Sequence, residues 1–452
     1  MLHIPITQVI VVPLTKNVIF AIILAIICAA SGFVGGLFYG QSRTKTLVSQ
    51  LEARASALEL QVQQLQQQLQ QIQQQKQKKI KAAFIYVGPI GDYGWSYAHE
   101  MARRIVTEKF KDWLETTYVE DVDATECPQV IDKLVSEGYT VIFTTSFDFM
   151  DPTYEAAKKY PNIIFFHCSG YRRYKNLGTY FADLYQIYYL NGLMAGALTK
   201  TGHVGYVGAN PIPEVIRHIN AFALGVKEVN PKAKVYVLWV HEWYAPSKAR
   251  ELAETLISKY NCDVLAFTED SPAVVQTCQE YYEKGKPVYV FSHYSPMLTY
   301  GKDVCVSGQL VHWEVIYEDI LLKIRQGIYN TTNLEHVDYW WLLKEGAVEL
   351  GCDYGVPINP KFVPILKGIR VNETVVLPNG TIVKDPSVYD LVFIRLEQMK
   401  QDNPTFDPFT GPIYDQQGNL WVPPRNRLGH DALWKMNWFV DNVVGEIPKG
   451  GG

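Results

Sequence analysis

Five aromatic residues, Trp95, Phe147, Trp243, Tyr294 and Trp313, fall in or beside loops rather than inside core strands. Rings so placed offer stacking faces to a flat, apolar ligand with a polar rim. Asp92, Asp270 and His293 lie in the same set of loops and can take that ligand's hydrogen bonds. Glu214 directly follows Pro213 and belongs in the first turn of a helix, where its charge favours the helix dipole. Two readings stay open for it, contact with the ligand or pairing with Arg217. Asp92, Asp270 and His293 could also form an acid/base set, so a nucleoside hydrolase working at the same cleft is the alternative. The sequence has no G-x-S-x-G elbow, no phosphate-binding P-loop and no GxGxxG after a strand. No CxxC pair or Cys/His cluster has metal-ligand spacing. A binding protein without catalytic residues, metal or cofactor is therefore expected.

The elements that must position these loops begin at Ile80. Short apolar runs (AAFIYVG, TTYVE, TVIFTT, NIIFFHC) alternate with amphipathic segments at Trp95–Phe110, Pro128–Glu137 and after Pro152. Such alternation predicts a mostly parallel sheet flanked by helices. After a helix over Asp183–Leu198 the same texture restarts at HVGYVG. It continues through KVYVLWV, CDVLAFT and PVYVFS, with helices at Pro213–Val229, Pro246–Tyr260 and Pro272–Glu283. The expected domain is two-lobed α/β over residues 80–352, with lobe one at about 80–200, lobe two at about 203–292 and a crossover after 303. In open parallel sheets ligands sit at the loops after the strands. GPIGDYGW, TTSFDFMDP, GANPIPE, HEWYAP, EDSPA and FSHYSP are those loops, and VHW lies near the crossover. Residues 353–452, rich in Pro and Gly with a helical patch at Asp385–Met399, read as an extension packed on the lobes. Asp151 before Pro152 reads as a helix N-cap, Asn220 as a buried hydrogen-bonding group, His167 as a core histidine, and Trp340 and Trp341 as hinge packing.

The first eighty residues have another texture. Val18 to Tyr39 carries no charged side chain and is long enough to span a bilayer. We expect a transmembrane anchor over 18–40 and a cytoplasmic segment over 1–17. Leu51, Ala55, Leu58, Val62, Leu65, Leu69 and Ile72 then step by four and three, an unbroken heptad pattern. A coiled-coil stalk over 47–79 follows, reaching roughly 48 Å at 1.5 Å per residue. Its narrow seam predicts a homo-oligomer, a dimer or trimer. The binding domain is expected outside the cell membrane. Asn330, Asn372 and Asn379 stand in glycosylation-type sequons, and the six cysteines beyond Cys28 permit either a disulfide framework or six buried thiols. The net charge of −4 and the lack of a basic aromatic patch give no support for nucleic-acid binding.

The strings YVGPIGDYGWSYAHE, VIFTTSFDFMDP, NPIPEVIRHINAFALG, NPKAKVYVLWVHEWYAP and EDSPA resemble the BMP family (basic membrane proteins) of ABC-transporter substrate-binding proteins. The resemblance implies a type I periplasmic-binding-protein fold, a purine-type ligand, and an ABC permease with its ATPase as partners. It further implies that Trp95 stacks on the base with Phe147 beside it, that Asp270 and Trp243 come from lobe two, and that Trp313 comes from the crossover. Nucleoside-binding members carry an acid after the last strand of lobe two, where this chain reads Phe291-Ser292-His293-Tyr294-Ser295. That departure points to a free base rather than a nucleoside. A ligand sensor without transport is the remaining alternative, disfavoured by the short segment ahead of the apolar run.

Overall fold

The heptad tract is helical throughout: α1 runs from Gln41 to Gln77 with no Gly or Pro to break it and is ~55 Å long at 1.5 Å per residue. The structure, a computed structural model, describes residues 41–77 and 79–448. The expected anchor over 18–40 and the segment before it lie outside the described residues. Among the described residues no helix is long and apolar enough to cross a membrane. Along α1, Val48, Leu51, Leu58, Val62 and Leu65 stand 40–63% exposed.

The second unit holds two large sheets and two small two-stranded ones. In the first, β1 (Ile80–Tyr86) lies between β2 (Leu114–Val119) and β3 (Val141–Thr145), followed by β4 (Ile164–Cys168), β5 (Leu177–Ala182) and, far along the chain, β11 (Asp338–Trp341). Every pairing is parallel. The second sheet centres on β6 (His203–Gly208), flanked by β7 (Lys234–Trp239) and β8 (Val264–Phe267). It continues through β9 (Tyr289–Ser292) and β10 (Cys305–Val311) to the antiparallel edge strand β12 (Val348–Leu350). Where they are buried on both faces, β1 from Ala82 to Tyr86 and β3 from Val141 to Phe143 read as apolar runs, as parallel sheets covered on both sides require.

Two helices join the sheets. α5 (Tyr185–Leu198) leaves the first sheet, and α6 (Pro213–Val229) follows β6 of the second. They cross with their backbones in contact: a Cβ on Gly192 would sit 2.1 Å from the Phe222 carbonyl oxygen, and one on Gly225 would sit 2.2 Å from that of Tyr189. Only glycine permits that approach. The chain returns through His312 into α9 (Trp313–Arg325), which docks on α2 (Trp95–Lys109) through His99–Tyr317 at 2.6 Å and Lys109–Glu318 at 2.5 Å.

The tail is woven into the second sheet. β17 (Val443–Val444) extends the second sheet beside β7. Asn220 on α6 donates to the Trp438 carbonyl at 2.7 Å and accepts from Val440 N–H at 3.0 Å, so it is a buried hydrogen-bonding group that pins the tail. Arg217 does not pair with Glu214. It ion-pairs with Asp183 at 2.7 Å, both side chains fully buried, and lies against Trp340 and Trp434. Asp151 is not an N-cap either: it sits in the first turn of α4 (Met150–Lys159) and ion-pairs with Arg172. His167 is a core residue held by Thr144 at 2.9 Å, and burial lowers its pKa to about 3.

Candidate functional site

The C-terminal ends of both sets of strands face one another across a narrow cleft. Val87, Trp95, Ser146, Phe147 and Ser169, after β1, β3 and β4, form one wall. Glu214, Val215, Trp243, Thr268, Asp270, His293 and Tyr294, after β6 to β9, form the other. Four non-glycine residues in loops of this cleft hold a left-handed backbone: Tyr93 (φ 61°), Ser169 (66°), His241 (64°) and Tyr294 (59°). Such conformations cost roughly 1–3 kcal/mol each and persist where the surroundings fix them, commonly at binding sites.

The walls touch. Trp95 N–H donates to Asp270 Oδ1 at 2.9 Å, Ser169 Oγ donates to Glu214 Oε2 at 2.9 Å, and Trp243 Nε1 donates to Asp148 Oδ2 at 3.3 Å. Gly94 lies so close that a Cβ there would be 2.6 Å from Asp270 Cα. The space left between the walls is about 20 Å³, room for a single water. A flat ring held between two walls needs ~7 Å, two contacts of about 3.5 Å each, so a ligand must part them. Wider clefts of about 570 and 860 Å³ adjoin on either side, sharing Phe147 with the inner cavity.

Seven of the expected residues, Trp95, Phe147, Trp243, Glu214, Asp270, His293 and Tyr294, are thus gathered in one cavity. Two are placed differently. Asp92 was expected to bond the ligand, but its oxygens already accept N–H groups from Gly94 at 2.8 Å, Ser96 at 3.0 Å and Tyr97 at 2.9 Å. It serves the amino end of α2, whose first amides lack partners within the helix. Trp313 is wholly buried behind Trp95, ring centroids 5.5 Å apart, with its own face stacked on His99 at 4.3 Å. It backs the wall rather than lining it. Cysteine offers no framework: Cys127, Cys168, Cys262, Cys278, Cys305 and Cys352 are all buried free thiols. Asn330, Asn372 and Asn379 are exposed, the last at the tip of the hairpin joining β13 (Thr374–Val376) to β14 (Ile382–Lys384). Ser146, Ser169 and Thr268 were missed. Ser169 follows NIIFFHC and would have been found by reading that loop as the others were read.

The site is electrically quiet. None of the twelve lining residues is Lys or Arg. Burial, helped by the charges of Asp92, Glu269 and Glu214, raises Asp270 well above the carboxylate range. Burial pushes Asp92 up to about 6 and Glu269 up to about 7. It also drives His293 well below the usual histidine range, so that ring is neutral. The tautomer follows from a neighbour. Tyr188 gives its one hydroxyl proton to the Phe267 carbonyl at 2.7 Å, so His293 Nδ1, 2.6 Å from the same hydroxyl, must be the donor there. Nε2 is then an acceptor. A protonated Asp270 and an acceptor His293 give one wall both a donor and an acceptor for an uncharged heterocycle.

Residues 79–366 match the model of a family described as Bmp, ABC transporter substrate-binding protein PnrA-like. A purine-binding protein of Brucella abortus is 31% identical over 82% of this chain and 95% of its own length. A protein of Haloferax volcanii, named as an ABC transporter glucose-binding protein, is 33% identical over 82% of each. Among solved structures, a solute-binding protein of an Aeropyrum pernix ABC transporter system superposes with a TM-score of 0.56 at 16% identity. That likeness covers 71% of this chain and 86% of that one, and it concerns the fold alone.

Proposed function

The chain belongs to the Bmp family of ABC transporter substrate-binding proteins, and on that premise we propose that it captures a free purine base, adenine-like, between its two lobes. The observation that carries this reading is the wall pairing of Trp95 and Phe147 with Tyr294, Trp243 and His293 around a cavity without Lys or Arg. Aromatic faces favour a flat ring. The missing cations disfavour a phosphate or carboxylate, and the lack of an acid within Phe291–Ser295 disfavours a ribose. Asp270 and His293 supply the donor and acceptor that a base edge needs. The Brucella relative's name agrees with this ligand.

A sugar is the second reading, on the name of the Haloferax relative. A hexose presents hydroxyls all round its ring, each needing a partner once buried. Here Ser169, Glu214 and Tyr294 are already bonded to one another, which favours the base. Mass spectrometry of the ligand carried through purification tests the choice. A purine is expected, and a hexose in its place refutes the reading. A nucleoside hydrolase is tested in parallel by incubation with adenosine, from which no free base should appear.

In this account the walls part to admit the ligand and settle against it, so that its contacts to both lobes favour the form that holds it, which a permease and its ATPase then receive. The domain's place in this reading is outside the cell, with residues 18–40 as the membrane anchor, and the apolar seam of α1 assembles copies of the chain. Asn330, Asn372 and Asn379 are its candidate glycan sites.

A further inference from the structure

Trp243 reaches the cavity from a connection with no regular structure of its own. His241 to Ala245 link β7 to α7 (Pro246–Ser258), and His241, Glu242 and Tyr244 stand exposed. Trp243 turns inward and lines both the inner cavity and the 570 Å³ cleft, so its ring stands between them. Three bonds fix the backbone beneath that ring. His241 N–H donates to the Ala209 carbonyl at 2.9 Å, and Asp270 N–H donates to the Trp243 carbonyl at 2.8 Å. The third closes the far end, where Ala245 N–H donates to Glu269 Oε1 at 2.8 Å. With its carboxamide turned so that both ends are satisfied, Asn210 adds bonds to the His241 carbonyl and the indole N–H, each 3.2 Å.

Glu269 is wholly buried, yet it does not line the cavity as Thr268 and Asp270 on either side of it do. Its second oxygen accepts from Ser271 Oγ at 2.6 Å. That hydroxyl in turn accepts from Ala273 N–H, the first amide of α8 (Ala273–Glu283), at 3.2 Å. Burying a carboxyl is unfavourable unless its oxygens are bonded, so the peptides it holds account for its place. The start of α7 needs such a partner. In a capping box, a Glu or Gln at the third helical position bonds the N–H of the residue before the helix. Here that third position is Lys248, which can only donate, and Ala245 before the helix carries no side-chain acceptor. Glu269 bonds that N–H instead, from the loop after β8.

We propose that Glu269 is the positioning residue for Trp243: through the Ala245 peptide it fixes the connection that carries the ring, and so sets how long a bound ligand stays. It acts without touching the ligand. The ligand in this statement rests on the purine reading, whereas the fixing of the connection does not.

Two measurements on the full chain test this. The first needs no ligand and is hydrogen exchange resolved to single amides. Glu242 and Tyr244 N–H have no acceptor among the described residues. In wild type, Ala245 N–H should exchange at least roughly a hundredfold more slowly than either. Glu269→Ala should remove that protection, and Glu269→Gln, which keeps an acceptor oxygen, should retain it. The second is the rate of adenine release. Losing one hydrogen bond in Glu269→Ala should speed release roughly fivefold, while Glu269→Gln stays within about twofold of wild type. In a Trp243→Ala background Glu269→Ala should add nothing, because it acts only through that ring. The proposal is overturned if the two substitutions multiply, or if Glu269→Ala leaves Ala245 protected. It is equally overturned if Ala245 exchanges as fast as its neighbours in wild type, a result that stands even where Glu269→Ala does not fold. Failure of wild type to bind adenine would sink the purine reading and leave the exchange result to decide this one.

Discussion

Trp95 concentrates the demands of the site in one side chain. Its backbone N–H reaches Asp270 across the cleft, its indole N–H donates to the Thr145 carbonyl, and its ring meets Tyr294 edge-on at 5.4 Å. Trp95→Ala is expected to weaken purine binding at least roughly tenfold, about 1.4 kcal/mol, of which stacking supplies on the order of 1 kcal/mol. Calorimetry reads the loss, and an unchanged circular dichroism spectrum excludes unfolding as its cause. Tyr188→Phe removes the acceptor that fixes the tautomer of His293 and leaves the Phe267 carbonyl without its donor, so it should lower both the affinity and the melting temperature. The aromatic wall was legible because loops that carry Trp, Phe and Tyr after apolar strands have few other reasons to be so built. Tyr188 was not legible. It sits in the middle of a buried helix, and its role depends on Phe267 and His293, which lie far along the chain. The same limit explains Asp92, whose position in a strand-end loop reads equally as a ligand group and as a cap for α2.

At the scale of elements, two positions bear on how the lobes meet, Gly94 and His312. Gly94 precedes α2, and the close approach of Asp270 leaves no room for a side chain there. Gly94→Ala should therefore hold the lobes apart, raising the radius of gyration seen by X-ray scattering and lowering ligand affinity. His312 is the second position, where β10 passes into α9. Hydrogen bonds to Glu314 and Glu349, each 2.8 Å, raise its pKa to about 9. A histidine raised above its unfolded value of about 6.5 contributes stability that is complete below that value and lost as pH rises through about 9. The melting temperature of wild type should accordingly fall between those two pH values by more than that of His312→Gln. Parallel slopes would show that the pairing contributes nothing. Most strands and helices here were readable from alternation and from prolines at helix starts. β5 was not: Leu-Gly-Thr-Tyr-Phe-Ala is buried on both faces and carries no period. β11, late in the two-lobed domain, and β17 in the tail are short segments that become strands only by finding a sheet edge.

Across the whole molecule, the sequence pattern separates a Gln-rich helical tract from an α/β body, and the structure describes each as its own unit. The exposed seam of α1 predicts self-association. Sedimentation should show a dimer or trimer for protein that keeps residues 41–77 and a monomer for protein that starts at Lys79. A monomer in both cases at tens of micromolar would remove the coiled coil from the account. The body's fold was legible because parallel α/β units advertise themselves twice over, by apolar strands and by ligand loops at their ends. The ligand was less so, since a nearly closed cleft lined by aromatic rings and without Lys or Arg states a chemical class and not a molecule. The relatives divide in the same way, one named for purines and one for glucose. The decisive measurement is calorimetric titration of protein freed of bound ligand with adenine, adenosine and glucose in turn. The account predicts tightest binding to adenine, weaker binding to adenosine and no heat from glucose. Saturable binding of glucose with no response to adenine would contradict it.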